Sequence, residues 1–199
     1  PVTNPSALFL SGIHSQDRSG SVIVSTLEGT RPLLVEIQAL VGQSTYSVPR
    51  RVGTGFGTHR LNQIVAVLEQ RLGLDFSRQD IYVNVVGGLV IDEPAADLAV
   101  ALAVMTSERN LTLSPGTVVF GEIGLTGEIR AVSQPQARLM EAERLGFKQA
   151  ILPALLPEDA GIENQATIKL HPVPSLINAI GIALAPAGSD LEQTALWSD

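Results

Sequence analysis

The residues best placed to do chemistry lie in Val85-Val86-Gly87-Gly88-Leu89-Val90-Ile91-Asp92-Glu93-Pro94-Ala95-Ala96-Asp97. The alternation Ile81, Val83, Val85 ends in a glycine pair, the pattern of a strand entering a tight turn. Asp92-Glu93-Pro94 then opens a helix, with carboxylates toward its positive end and proline in its first turn. A serine at such a helix start, served by a lysine base and by backbone N–H groups that hold an oxyanion, would perform acyl transfer. The position holds Ala95, whose methyl group attacks nothing.

The window resembles the proteolytic domain of the Lon proteases, whose serine lies in an Asp-Gly-Pro-Ser-Ala-Gly turn. Matching Asp92–Asp97 onto that turn puts Ala95 on the serine and Asp97 on the last glycine. Glu122-Ile123-Gly124-Leu125-Thr126-Gly127-Glu128-Ile129 is similar to the Lon segment that leads to the catalytic lysine. The matching position, nine residues beyond Gly127, is Gln136, an amide that cannot act as a base. The two lysines of the chain, Lys148 and Lys169, lie elsewhere. Arginine cannot substitute, because its pKa above about 12 keeps it charged. An active Ser/Lys peptidase is the alternative and would need a different dyad.

Asn4–Ser11, Gly20–Val24, Thr26–Glu36, Asp92–Ala99 and Gly121–Arg130 together resemble the C-terminal Lon-like domain of the RadA (Sms) family of bacterial DNA-repair proteins. The resemblance runs from about Asn4 to about Leu184. It implies an α/β fold of the Lon proteolytic-domain type, similar to ribosomal protein S5 domain 2. It further implies a non-proteolytic scaffold that supports a hexamer and binds single-stranded or branched DNA in the ring channel, in the cytoplasm. The full-length protein is then expected to be a DNA-dependent ATPase or helicase. The chain has no cysteine and no G-x-x-x-x-G-K-[ST] loop. This fragment is therefore expected to be no enzyme and to hold no cofactor, with ATP, Mg and Zn confined to a missing N-terminal part. A protein-docking module without DNA contact is the other alternative.

Composition fits one domain. With 199 residues, 45% of them apolar, the chain can bury a sizeable core. We divide it into a lead-in at 1–20, the Lon-like domain at 21–184 and a tail at 185–199, notable for Leu196 and Trp197. No run approaches the roughly 18 apolar residues of a membrane span, and no basic-then-apolar leader is present. Pro1 in place of Met suggests an excised piece. His14, His59 and His171 share no metal-ligand spacing, so no metal site is expected. A net charge of −7 argues against a globally nucleic-acid-binding surface and leaves only a local basic patch.

Alternating runs at 21–27 and 32–41 predict a hairpin across Glu28–Arg31, with Leu33, Val35, Ile37, Ala39 and Val41 on one face and Glu36 and Gln38 on the other. Residues 47–57 read as a glycine-rich loop. Thr58 is expected to cap a helix ending at Gly73. Strands at 80–87, 117–122, 150–152 and 167–170 alternate with helices at 94–109, from Ser133 as N-cap to Gly146, and at 175–180. The 94–109 helix is apolar nearly all round, which predicts burial. Arg50, Arg51 and Arg60 flank the glycine loop beside the positive end of the Thr58 helix, and with Arg130 they are the candidate DNA contacts. Arg109 and Arg138 are weaker candidates. Pairing of these arginines with acidic residues, within the chain or across an interface, is the competing reading. Leu8, Phe9, Leu10 and Phe56 are apolar residues in irregular segments that could cover a neighbouring subunit.

Overall fold

Ser21–Glu28 (β1) and Arg31–Gln43 (β2) pair antiparallel around Gly29-Thr30, the hairpin that the sequence predicts. The computed structural model describes residues 18–156, 159, 161–162 and 166–184. Most of the expected lead-in, with Leu8, Phe9 and Leu10, and the tail at 185–199 lie outside them. Five more strands complete a sheet: Arg51–Thr54 (β3), Gln79–Val85 (β4), Thr117–Val119 (β5), Gln149–Pro153 (β8) and Lys169–Val173 (β9). Their order is β3-β4-β2-β1-β5-β8-β9, and four of the six pairings are parallel. The chain is thus a mixed α/β fold around a mostly parallel sheet. Glu122–Ile123 (β6) and Ile129–Arg130 (β7) form a separate small hairpin.

The helices are Thr58–Leu72 (α1), Asp97–Arg109 (α2), Pro135–Arg144 (α3) and Leu176–Ala183 (α4), with a 3₁₀ turn at Pro94–Ala96 leading into α2. Gly73 ends α1 as expected, its φ of 65° letting its N–H reach the Glu69 carbonyl at 3.1 Å. In α2, Leu98, Val100, Leu102 and Val104 are fully buried. This helix lacks a polar stripe because β1 and β2 cover one side while α1 and α4 cover others. Each such side chain contributes roughly 1.5–3 kcal/mol on burial. The opposite sheet face holds a second core, with Ile23, Leu34, Val118 and Phe120 beneath Leu139 and Ala142 of α3.

Several expected details are corrected. The loop expected at 47–57 contains β3, an edge strand whose arginine and glycine content hides its β character. The strand expected at 117–122 stops at Val119. Gly121 turns away, its N–H donating to the Ala95 carbonyl and its own carbonyl accepting from Leu98 N–H. The N-cap of α1 is Gly57 rather than Thr58, and that of α3 is Gln134 rather than Ser133. Ser133 serves instead through its carbonyl, which accepts from Arg138 Nε at 2.9 Å. Glu36, on the face that alternation gives it with Gln38, is fully buried and accepts from Ser21 Oγ and Gln38 Nε2, both at 2.8 Å. Phe56 is core, 6% exposed, and cannot cover a neighbour. Among the described residues, no helix is long and apolar enough to cross a membrane.

Candidate functional site

The turn singled out in the sequence is pinned at both ends. After β4, Val86 N–H donates to the Glu36 carbonyl at 2.9 Å, and Gly87 and Gly88 reverse the chain with φ of 87° and 73°. Ile91 N–H then donates to the Gly55 carbonyl at 2.8 Å, tying the turn to the connection between β3 and α1. That connection needs its glycines for closeness. A Cβ at Gly53 would sit 2.1 Å from the Phe56 carbonyl oxygen, and one at Gly55 would sit 2.3 Å from that of Leu89. Backbone thus packs against backbone at Gly53 and Gly55, while Gly57, at the start of α1, has open space around it.

Two carboxylates bracket Ala95, and each is held by an arginine. Glu93 Oε2 accepts from Thr26 Oγ1 at 3.0 Å, Leu27 N–H at 2.9 Å and Arg138 Nη1 at 3.2 Å, while Oε1 accepts from Arg138 Nη2. Arg138 is fully buried, also donates to the Ser25 carbonyl at 2.7 Å, and lies 5.7 Å from the Phe120 ring centroid. Asp97, also fully buried, accepts from Arg60 Nε at 2.9 Å, Arg60 Nη2 and Ile123 N–H at 3.1 Å. The hydrogen bond to Asp97 raises the Arg60 pKa despite partial burial. Buried charges stay only with partners, and removing one member of such a pair costs about 3–5 kcal/mol.

Ala95 itself is 1% exposed. A nucleophile must meet its substrate, and this position is closed. A cleft of about 200 Å³ runs beside the turn, lined by Phe56, Gly57, Arg60, Asp92, Glu93 and Asp97 among others, but not by Ala95. Gln136 is exposed in the first turn of α3, two residues before Arg138. The Glu93–Arg138 pair therefore joins the two segments that would carry a serine and a lysine.

The candidate arginines do not gather at the start of α1. Arg50 is exposed, its guanidinium 3.6 Å from the centre of the Tyr46 ring, and its N–H donates to Asp80 at 2.7 Å. Arg51 reaches Glu69 at 3.4 Å, near the opposite end of α1. Arg60 is committed to Asp97. Arg130 pairs with Glu128 at 2.7 Å. The Thr126 hydroxyl, a backbone N–H and Arg130 hold the Glu128 carboxyl down to about 2. Arg109 pairs with Glu108 at 2.8 Å. The clamping roles of Glu93, Asp97, Arg60 and Arg138 escape motif reading. One signal was available: a carboxylate opening a helix that is apolar all round must be buried, and so must find a cation.

Comparison with known proteins gives this geometry a family. Residues 55–155, just over half of the chain, match the family described as Subunit ChlI of Mg-chelatase, and the chain belongs to that family. The chain is 50% identical over 183 residues to DNA repair protein RadA of Synechocystis sp., covering 92% of this chain and 35% of that protein. It is 44% identical over 182 residues to DNA repair protein RadA of Halalkalibacterium halodurans (92% and 37%), and 51% identical over 153 residues to that of Escherichia coli (77% and 33%). The chain thus spans about a third of the length of these relatives.

The family match corrects two expectations. Enzyme function was to be absent from this fragment, and ATP and Mg were to belong only to a missing part. The matched segment lies inside the chain and carries the description of a subunit of an enzyme, Mg-chelatase. The exclusion rests on the missing Ser/Lys dyad and on one missing loop consensus, and the loop consensus tests one way of holding phosphate and no other.

Proposed function

We propose that residues 21–184 form the Lon-protease-like unit of a DNA-repair protein of the RadA kind. There the unit supports a hexameric ring and touches single-stranded or branched DNA, in the cytoplasm, without cleaving peptide bonds. The observation that carries this reading is the 50% identity, over 92% of the chain, to a protein named for DNA repair. The closed turn at Ala95, clamped from α1 and α3, supports its non-proteolytic part. An exposed row, Val52, Tyr82 and Leu40, crosses three strands on the sheet face turned away from α1 and α2. It offers a second copy an apolar surface to cover.

Phosphate contact rests chiefly on Arg50 and Arg51, since Arg60 would first have to leave a buried carboxylate. Arg130 would have to leave only an exposed one. The magnesium in the family's description finds no ready cluster: among the described residues no three His, Cys, Asp or Glu gather as ligands.

Native mass spectrometry and a peptidase assay test the reading together. The expected result is a closed oligomer that Tyr82→Glu dissociates, with no turnover of unfolded protein by either the parent or Ala95→Ser. A parent that stays monomeric at high concentration would remove the ring. Hydrolysis by the parent would restore the peptidase alternative.

A further inference from the structure

A cleft opens where the edge arginines meet α1. Val48, Pro49, Arg51, Asn62, Phe76 and Ser77 line a space of about 360 Å³ between the segment before β3, the second turn of α1 and the segment before β4. That volume lies within the roughly 300–1,000 Å³ of small-ligand pockets. Its chemistry is mixed. Val48 and Pro49 supply apolar surface, Asn62 an amide that both donates and accepts, and Arg51 a guanidinium. No carboxylate occurs among these six residues, although the chain as a whole carries −7.

Both walls are held by their own hydrogen bonds. On one side Tyr46 N–H donates to Ser44 Oγ at 3.2 Å, Ser44 N–H to the Arg78 carbonyl at 2.9 Å, and Arg50 N–H to Asp80 at 2.7 Å. On the other, Ser77 N–H donates to Asp75 at 2.9 Å and Gln79 N–H to the Phe76 carbonyl at 3.2 Å. Arg50, between two lining residues, holds its guanidinium over the exposed Tyr46 ring. A site formed in advance spares a ligand much of the cost of ordering it.

Two adjacent arginines beside a mixed cleft fit a nucleotide better than a bare phosphate. The phosphates of a strand can lie along Arg50 and Arg51 while one base, a flat body with a polar edge, enters between Val48-Pro49 and Asn62. In a duplex the bases are paired and stacked, so a single strand is what can offer one. We propose that this cleft receives an unpaired nucleobase of single-stranded DNA, its faces against Val48, Pro49 and the Arg51 guanidinium and its edge toward the Asn62 amide. Such a site deepens the DNA contact proposed above and depends on it. Phosphate contacts position a strand, and a base contact adds a preference for unpaired DNA.

Fluorescence anisotropy with the 199-residue chain can compare two single strands of equal length and charge: oligothymidylate, and the same backbone carrying a run of abasic sites. The parent should bind the abasic strand several-fold more weakly, with the same dependence on salt, because the phosphates are unchanged. Asn62→Ala and Val48→Ser, both at exposed positions, should weaken binding of oligothymidylate and leave the abasic strand unaffected, so that the two affinities converge. Circular dichroism of both variants should match that of the parent. Arg50→Gln should weaken both strands by the same factor. Equal affinity of the parent for the two strands would overturn the base site and leave the DNA reading standing. A base preference that survives both cleft variants would overturn it too, by placing the bases elsewhere. Binding of neither strand at low salt would remove the DNA reading, and the base site with it.

Discussion

The Glu93–Asp97 turn and the Tyr46–Thr54 edge both set arginine near carboxylate, but water treats them differently. At the turn, Asp97 and Arg138 are fully buried, and every hydrogen bond they make replaces one to solvent. At the edge, Arg51 and Glu69 keep about a quarter of their side-chain surface exposed, and Arg50 lies open over a tyrosine ring. Burial turns an arginine into a structural clamp. Exposure leaves it available to a ligand at little energetic cost.

The largest effect should come from breaking the buried clamp. Arg138→Ala strands Glu93 and should lower unfolding free energy by about 3–5 kcal/mol in urea titrations. Paired removal, Arg138→Met with Glu93→Gln, should recover part of that loss. If the single change proves neutral, Glu93 is reaching water and the clamp is an ornament. Asp97→Asn keeps shape but loses charge. It should cost about 1–3 kcal/mol, less than Arg138→Ala, because Arg60 is one-third exposed and can turn outward. At the edge, Arg51→Ala should change stability by no more than about 1 kcal/mol, as exposed pairs do. A larger loss would move Arg51 into the clamp class.

The smallest effect is a pH dependence. Burial, helped by Lys169, lowers the pKa of His171 below its ordinary value. The unfolded chain then binds more protons than the folded one, so stability is full above the unfolded histidine pKa, near 6.5, and declines as pH falls below it. His171→Gln, keeping a partner for Gln149 Oε1, should flatten the thermal midpoint between pH 7 and 5. An unchanged slope would assign the titration to another group.

Much of the fold was legible because periodicity and turn chemistry act locally. The hairpin at Gly29, the stripe of α1 with Gly73 behind it, and the buried α2 all follow from spacing alone. What escaped depends on neighbours distant in the chain. Glu36 shares by alternation the polar face of β2 with Gln38, yet it is fully buried and bonded to Ser21 of β1. Arg138 lies 45 residues from the carboxylate it serves, and no local pattern announces that meeting. Motif spacing marks the turn at Ala95, where a 3₁₀ turn lies, but says nothing of which distant side chains hold it. The structure makes Asp97, Arg60 and Arg138 its supports.

The most direct test of the contrast between clamp and edge is DNA affinity against salt. Fluorescence anisotropy of a labelled single-stranded oligonucleotide should give weak binding whose logarithm falls linearly with the logarithm of salt concentration. Arg50→Gln and Arg51→Gln should each flatten that slope by roughly 0.7 for every phosphate that the variant no longer neutralises. Arg31→Gln, at the far end of β2, should leave it unchanged. Equal slopes and affinities for the parent and both edge variants would contradict the account, and so would a parent that binds no DNA at low salt.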